Sequence, residues 1–370
     1  NLGDITRRDV PDHPIIIDLR EPERPRTVTA ATLRALVAAV ARGLLAQGHR
    51  QGDRIAIVSA NRWEYVASYF GIMSAGMVAV PVNHRLSRET VAFVLRDAEV
   101  RAVIAEGERI GLVPPDVRAY ALDLPGADGF LAMLDWGEFE AVVPRDGEFA
   151  KILYTSGSTG RPKGVPLGHA GQLWALRKSW TGGDAPLRER SIIVAPTYHK
   201  NGLFFTSVAA SNGVTFFSMP RFDAAAYLRL VHERRCTLLS GIPTMFALMA
   251  RERDVLASVD LRCVTTVTIG SAPLTDTLLE TVRRMFPNAL CQTGYGTREG
   301  GPAVFGTHPR GRARPNLALG VPVEGAELRL VGGATPDEGV LHLRTPALMS
   351  GYLNLPELSA QRLVDGWYDS

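Results

Sequence analysis

The sequence predicts an α/β fold in which parallel β-sheets are covered by helices on both faces, followed by a small β-rich lobe. Short apolar runs rich in β-branched residues alternate with segments of helical period, which is typical of strands buried on both faces. After about residue 307 short alternating strands are separated by glycine and proline instead. The 370 residues, 46% hydrophobic and 21% charged, suffice for two or three packed lobes.

In chain order, each predicted element follows from a local pattern. A helix over residues 32–47 places Leu33, Leu36 and Val40 on one stripe and ends at Gly48. Thr277, followed three residues later by a glutamate, predicts a capping box that opens a helix ending before residue 287. The predicted strands are 55–60, 77–82, 151–155, 191–196, 214–218, 237–240 and 264–269, then 326–331 and 339–344 in the β-rich lobe.

Composition excludes several classes of protein. The 41 basic and 38 acidic residues leave a net charge of +3 without blocks of either sign, so neither nucleic acid nor an anionic membrane is an expected partner. The longest apolar stretch, residues 36–46, contains Arg42 and is shorter than the roughly 20 residues of a membrane span. Cys236, Cys263 and Cys291 lack disulfide or zinc spacing. With no signal peptide in the sequence, we expect a cytoplasmic protein.

The most informative stretch is KILYTSGSTGRPKGV, residues 151–165. A buried type of strand leads directly into hydroxyl residues, glycines and Lys163. Glycines let backbone N–H groups approach an anion, hydroxyls donate hydrogen bonds and the lysine supplies charge, so we predict a phosphate-binding loop. It is not a Walker A loop, because Pro162 precedes the lysine and Gly164 follows it. The alternative is a Gly/Ser surface loop.

Residues 154–164 resemble the phosphate loop of the adenylate-forming superfamily, which includes acyl-CoA synthetases, peptide-synthetase adenylation domains and beetle luciferases. The resemblance continues in order through AGMVAVPVN at 75–83, PTYH at 196–199, GSAP at 270–273, YGTRE at 295–299 and GY to GWY over 351–368. It implies two doubly wound, mostly parallel sheets with helices on both faces and a small β-rich, distorted-barrel subdomain. It also implies lobes over about residues 1–185, 186–305 and 306–370, with the N-terminal segment shared between lobes.

The resemblance implies an acid–thiol ligase that forms an acyl-adenylate from ATP, releases pyrophosphate and then makes a thioester, with CoA as the expected acceptor. A carrier-protein thiol as acceptor and a domain that only holds nucleotide or acyl-adenylate stay open. An oxidoreductase interpretation of residues 294–300 as a dinucleotide loop fails on glycine spacing. The expected partners are a small carboxylic acid, ATP, Mg²⁺, CoA and the chain's own C-terminal domain, and a homodimer stays open.

The resemblance also assigns roles to individual residues. Lys163, Thr155, Glu299 and His199 are expected to act in catalysis, and a carboxylate such as Glu299, with Thr155, suits Mg²⁺. The expected nucleotide site is Thr155, Ser156, Gly157, Ser158, Thr159, Gly160, Lys163, Gly270, Ser271, Ala272, Gly294, Tyr295, Gly296, Thr297, Arg298 and Glu299. The expected acid pocket is His199, Lys200, Gly202, Gly270, Gly294 and Gly301.

The sequence departs from the family pattern at three places. Arg298 replaces a threonine near the α-phosphate, and either contacts the phosphate or points away. Lys200 replaces an apolar or small residue, and either reaches a second polar group on the substrate or, as we expect, is solvated. The sequence ends at Ser370, two residues before the family's ribose-binding aspartate. We therefore expect the C-terminal lid domain to be absent and residues 1–370 alone to be nearly inactive.

Overall fold

The structure is a computed structural model that describes residues 1–155, 160–179, 186–302 and 304–370. The strands are β1 Pro14–Asp18, β2 Arg26–Thr29, β3 Arg54–Val58, β4 Val78–Val82, β5 Val100–Ala105, β6 Arg118–Ala121, β7 Phe149–Thr155, β8 Lys163–Gly168, β9 Arg190–Ile193, β10 Thr215–Ser218, β11 Leu238–Gly241, β12 Thr266–Gly270, β13 Leu290–Gly294, β14 Phe305–Gly306, β15 Val321–Pro322, β16 Glu327–Gly332, β17 Gly339–Arg344, β18 Leu363–Val364 and β19 Trp367–Asp369.

The helices alternate with the strands through most of the chain, as the sequence predicts. They are α1 Ala30–Ala46, α2 Trp63–Ser74, α3 Arg88–Asp97, α4 Gly107–Ile110, α5 Phe130–Met133, α6 His169–Arg177, α7 Lys200–Asn212, α8 Ala224–Arg234, α9 Pro243–Met249, α10 Arg253–Ser258, α11 Asp276–Met285 and α12 Pro356–Arg362, with a short 3₁₀ turn over Pro186–Arg188. Among the described residues, none of these helices has the length and apolar character that crossing a bilayer requires.

The first sheet has the strand order β6-β5-β3-β4-β7-β8. Its strands are parallel except for β8, which runs antiparallel to β7. Strand β4 and helix α2 are buried along their whole lengths, because α1 packs over α2 and their side chains form one core with β3. That all-round burial explains why these segments are almost continuously apolar.

The second sheet has the order β13-β12-β11-β9-β10-β1-β2. The N-terminal strand β1 pairs in parallel with β10, about 200 residues later in the chain, and antiparallel with β2. The predicted α/β class with mostly parallel sheets is confirmed. The predicted lobe boundaries near residues 185 and 305 stay a prediction.

The C-terminal segment is β-rich, as predicted. Strands β14 and β15 form an antiparallel pair, and β16, β17, β19 and β18 form an antiparallel sheet in that order. The hairpin of β16 and β17 matches the predicted strands within one residue. Helix α12 was not predicted, and it brings Arg362 close to β19, where its guanidinium pairs with Asp369 at 2.8 Å.

One local prediction is wrong and one strand was not predicted. The helix cap near residue 277 is Thr275, whose hydroxyl accepts a hydrogen bond from the backbone N–H of Leu278, while Thr277 lies inside the first turn of α11. The strand that was not predicted is β8, which begins within the motif at Lys163. Val165 and Leu167 are buried on β8, and this burial outweighs the poor strand propensity of its glycines and proline.

Candidate active site

A cavity of about 490 Å³ opens where the carboxyl ends of β7, β12 and β13 approach strand β19. Ligands of α/β proteins typically bind outside the carboxyl ends of the parallel strands. The residues around this cavity come from both sheets and from the β-rich segment. They are Thr155, Lys163, His199, Lys200, Asn201, Ser271, Gly296, Thr297, Arg298, Glu299, Tyr352, Arg362, Tyr368, Asp369 and Ser370.

The β7–β8 hairpin brings Thr155 and Lys163 together. The two residues are directly paired across the strands, at the end of the hairpin where the connecting loop begins and ends. The Thr155 side-chain oxygen is buried and has no hydrogen-bond partner in the described part of the chain. The Lys163 ammonium lies 5.1 Å from the centre of the Tyr352 ring. A buried hydroxyl without a partner beside a cation is a suitable arrangement for binding an anion.

Gly160 follows on the same hairpin with a φ of +91°. The predicted phosphate-loop residues Ser156, Gly157, Ser158 and Thr159 lie outside the described residues.

Glu299 supplies a fixed negative charge at the cavity. The Tyr352 hydroxyl donates to a carboxylate oxygen of Glu299 at 3.0 Å, and the backbone carbonyl of Glu299 accepts from the N–H of Met349 at 2.8 Å. Burial, together with the Glu299 carboxylate, raises the pKa of Tyr368 to about 12 and that of Tyr352 further. Both tyrosines are therefore neutral hydrogen-bond donors at physiological pH.

No cluster of three or more His, Cys, Asp or Glu side chains suited to a metal occurs among the described residues. Asp369, the other carboxylate that lines the cavity, is ion-paired with Arg362, whereas Glu299 has one oxygen that Tyr352 does not engage.

Three further basic side chains line the cavity, those of His199, Lys200 and Arg298. Burial lowers the pKa of His199 to about 4, with Arg298 and Lys200 contributing, so this imidazole is neutral at pH 7. Burial also lowers the pKa of Lys200 to about 7, and the charge of Arg298 adds to that effect. The Arg298 pKa is lowered by burial too.

The expectation that Lys200 is solvated is therefore wrong: its side chain is only partly exposed and lines the cavity.

Two strand ends that were expected to form part of the nucleotide site lie side by side. Gly270 and Gly294 are paired in register at the ends of β12 and β13. Ser271, Gly296 and Thr297 follow these ends and line the cavity, whereas Gly270, Ala272, Gly294 and Tyr295 lie next to it along the chain. Tyr295 packs edge-on against Phe305 at a ring separation of 5.8 Å, and its hydroxyl donates to Ser370, which lines the cavity.

Two glycines assigned to the acid pocket, Gly202 and Gly301, do not line the described cavity. A Cβ on Gly202 would lie 2.3 Å from the carbonyl oxygen of Pro196, so only glycine lets α7 pack against this segment. Gly301 has a φ of +104° and packs against Ala347. Both glycines shape the backbone around the cavity.

The segment that carries His199 is fixed by Asn61, a residue that motif analysis did not identify. The Asn61 amide N–H₂ donates to the carbonyls of Ala195 and Met219, both at 3.1 Å. Its oxygen accepts from the backbone N–H and the hydroxyl of Thr197, at 2.8 and 3.0 Å. Asn61 therefore ties the end of β3 to the loop after β9, which begins α7 at the cavity.

The site residues that sequence analysis missed come mainly from the C-terminal segment. Tyr352 and Tyr368 belong to the recognised motif over residues 351–368, which was the available signal for them. The hydrogen bond of Tyr352 to Glu299 and the effect of Glu299 on Tyr368 depend on the fold. Arg362 and Asp369 had no signal, because the helix and strand that bring them together were not predicted. Asn201 donates to Ser271 at 2.5 Å and connects α7 to the end of β12.

Comparison with known proteins identifies relatives over nearly the whole chain. The family model described as "AMP-binding enzyme" matches residues 5–353. A feruloyl-CoA synthase of an Amycolatopsis species is 32% identical over 350 residues, which are 93% of this chain and 70% of that protein. A fatty acid–[acyl-carrier-protein] ligase of Streptomyces coeruleorubidus is 30% identical over 366 residues, 92% of this chain and 69% of that protein.

Solved structures agree with this assignment. The inhibitor-bound N-terminal domain of FACL13 from Mycobacterium tuberculosis superimposes with a TM-score of 0.82 at 26% identity, covering 96% of this chain and 91% of that one.

Proposed function

Because this chain belongs to the AMP-binding enzyme family, we propose that it activates a carboxylic acid with ATP and passes the acyl group to the thiol of CoA. In the first step a carboxylate oxygen attacks the α-phosphorus, the bond to the bridging oxygen breaks, and pyrophosphate leaves. In the second step the thiol sulfur attacks the acyl carbon, the bond to AMP breaks and the thiol gives up its proton. The observation that carries the proposal is the single cavity that joins Thr155 and Lys163 to Arg298 and Glu299.

Thr155 and Lys163 are proposed to hold the β- and γ-phosphates. The Thr155 hydroxyl, which has no hydrogen-bond partner among the described residues, gains one from a phosphate oxygen, and Lys163 supplies a charge-assisted contact. Both groups lie at the loop end of a hairpin whose paired strands fix their separation. Positioning and charge neutralisation are the main contributions that a protein makes to phosphoryl chemistry.

Glu299 fits Mg²⁺ as a carboxylate ligand, because the other carboxylate of the cavity, Asp369, is already paired with Arg362. Mg²⁺ in nucleotide sites is typically bound by one or two carboxylates, and phosphate oxygens and water complete its coordination. The Glu299 oxygen that Tyr352 does not occupy is suited to this, and the tyrosine holds the carboxylate in place. When bound, Mg²⁺ neutralises charge on the phosphates.

Arg298 is proposed to contact the α-phosphate, at the position where the family resemblance implies a threonine. Its guanidinium lines the cavity and has no hydrogen bond or ion pair with another side chain in the described segments. A partly desolvated guanidinium without a partner is suited to stabilising the charge that develops at phosphorus. His199 is neutral at pH 7 and therefore flanks the reacting carboxylate without adding charge.

A carrier-protein thiol is the second candidate acceptor, because one of the two relatives named above is a ligase for an acyl-carrier protein. Supplying adenylate-loaded protein with CoA or with a pantetheine-bearing carrier distinguishes the two. We expect faster transfer of the acyl group to CoA. Faster transfer to the carrier would make the carrier thiol the acceptor.

Binding is the first test of the proposal, since weak activity of residues 1–370 alone stays a prediction. The probe is a sulfamoyl adenosine that carries an aryl or short aliphatic acyl group, an unreactive analogue of the acyl-adenylate. Calorimetry should give an affinity for the best analogue about a hundredfold above that of AMP, because one ligand fills both the nucleotide and acid sites. Equal affinities for AMP and for every analogue would overturn the proposal.

A further inference from the structure

Lys200 occupies an unusual position for a lysine. It is the first residue of helix α7, and its side chain lines the cavity. A Cβ on Gly296 would lie 2.9 Å from the Lys200 ammonium nitrogen, so the ammonium packs directly against the backbone of the loop after β13. Glycine at position 296 leaves the space that the ammonium group occupies.

The ammonium of Lys200 has no partner among the described residues, whereas the other three lysines have one each. Lys151 donates to the Tyr69 hydroxyl at 3.1 Å, Lys178 pairs with Glu324 at 2.7 Å, and Lys163 faces the Tyr352 ring. No hydrogen bond or ion pair joins Lys200 to any side chain in the described ranges, Glu299 included.

The surroundings of Lys200 disfavour a cation in three ways. Burial removes water from the ammonium, the neighbouring guanidinium of Arg298 repels it, and the first turn of α7 presents N–H groups whose dipoles favour anions. A residue that costs stability in its own environment is typical of a binding position. An anion at this point would offset all three effects.

The phosphates of ATP are not the anion that this position fits best. The Lys200 ammonium packs against Gly296, in the loop after β13, whereas Thr155 and Lys163 lie opposite each other on the β7–β8 hairpin. Lys200 and Lys163 therefore reach the cavity from different elements, and a second anion is the partner that we assign to Lys200.

We propose that Lys200 binds a second anionic group on the acid substrate, so that the enzyme selects acids with a carboxylate at each end. The proposal rests on the function proposed above and names the substrate class for the same site. One carboxylate reacts at phosphorus near Arg298, and the other pairs with the Lys200 ammonium. An acid with one carboxylate would leave that ammonium buried and unpaired, which is the costly state.

The test compares matched acids that differ by one charge. Adipate is compared with monomethyl adipate, and terephthalate with monomethyl terephthalate, by calorimetry on protein saturated with AMP. In the wild type at least one diacid should bind about tenfold to a hundredfold more tightly than its monoester, the range expected for one charge-assisted contact. In Lys200→Met this preference should fall below twofold.

Two further variants control the comparison. Lys178→Met removes a lysine that is ion-paired on the surface, and it should keep the full preference for the diacid. Lys200→Arg keeps the charge and should retain most of the preference, which guards against a Lys200→Met variant that folds poorly.

The possible failures are distinguishable. If AMP does not bind to the wild type, the proposed function itself fails. If AMP binds and neither diacid is preferred over its monoester, or if Lys200→Met keeps the preference, the assignment of Lys200 is wrong and the proposed function stands.

Discussion

Lys163 acts in this account through charge and not through packing, because its ammonium lies in the cavity beside a buried hydroxyl. Lys163→Met should therefore lower the affinity for ATP by about one to two decades, the equivalent of one charge-assisted contact. Melting without ligand should stay close to that of the wild type. Calorimetric titration with MgATP measures the effect, and Lys178→Met is the matched control. ATP affinity unchanged in the variant would reject the phosphate-loop assignment.

Diacid binding should depend on pH through Lys200. Its pKa is lowered to about 7, so raising the pH from 7 to 9 removes the proton from the ligand-free ammonium and should weaken diacid binding by about tenfold per unit. The other groups that face Lys200 are Arg298, Glu299 and His199. Arg298 keeps its proton over this pH range, and His199 is already neutral at pH 7.

Lys151 also faces Lys200, and burial lowers its pKa to about 7 as well, so a control is needed. In Lys200→Arg the cation persists at high pH, and the affinity for the diacid should then be nearly constant between pH 7 and 9. A pH dependence that survives in this variant would assign the titration to Lys151.

At the residue scale the sequence predicted residues that line the cavity, such as Lys163 and Glu299, but not their surroundings. Lys163 and Glu299 were predicted because they lie in dense motifs whose chemistry is readable locally. The partly buried state of Lys200 depends on Gly296, which lies 96 positions later, and the contact of Glu299 depends on Tyr352. Such contacts are set by the packing of distant segments, which local sequence patterns do not encode.

At the scale of elements, long buried strands were predicted well and exceptional ones were not. The segments that became β3, β4, β7 and β12 were predicted within about three residues, because burial on both faces imposes an apolar pattern. Strand β8 has a mixed sequence of glycine, lysine and proline, and it forms because the edge of β7 offers hydrogen-bond partners and a core to bury Val165. Strand β8 shapes the proposed site directly, because it places Lys163 opposite Thr155.

The start of helix α11 gives a test with an internal control. Thr275→Ala should destabilise the protein by about 1 kcal/mol, because it removes the hydroxyl that accepts from the backbone N–H of Leu278. Thr277→Ala, two residues later on an exposed position inside the helix, should change stability by less than about 0.5 kcal/mol. Urea unfolding measures both. A larger loss of stability in Thr277→Ala than in Thr275→Ala would show that Thr277 caps the helix, as the sequence predicted.

At the scale of the whole molecule, the cavity exists because two sheets and the β-rich segment are held in a fixed relation. Asn61 is 2% exposed and makes four hydrogen bonds from the end of β3 to segments that follow β9 and β10. Sequence analysis predicted the α/β class, yet it did not predict this connection. An asparagine after a strand is typical of an ordinary turn, and its partners lie more than 130 residues away.

Asn61→Ala should lower the free energy of unfolding by about 3 kcal/mol, since it leaves buried donors and acceptors on the second sheet without partners. The affinity for AMP should fall with it, because the loop before His199 loses its anchor. Asn288→Ala removes an exposed amide with one hydrogen bond, to the carbonyl of Arg262, and should cost less than about 1 kcal/mol. Equal effects of the two substitutions would show that Asn61 does not hold the sheets together.

The central claim, that the cavity joins an acid to AMP, is tested most directly by a single-turnover experiment. Protein in excess over MgATP is incubated for hours with a panel of mono- and dicarboxylic acids, denatured, and analysed by mass spectrometry, so that even slow chemistry accumulates product. We expect a product with the mass of acid plus AMP less water for at least one acid, and none in Lys163→Met over the same time. Bound ATP that yields no such product with any acid would contradict the central claim.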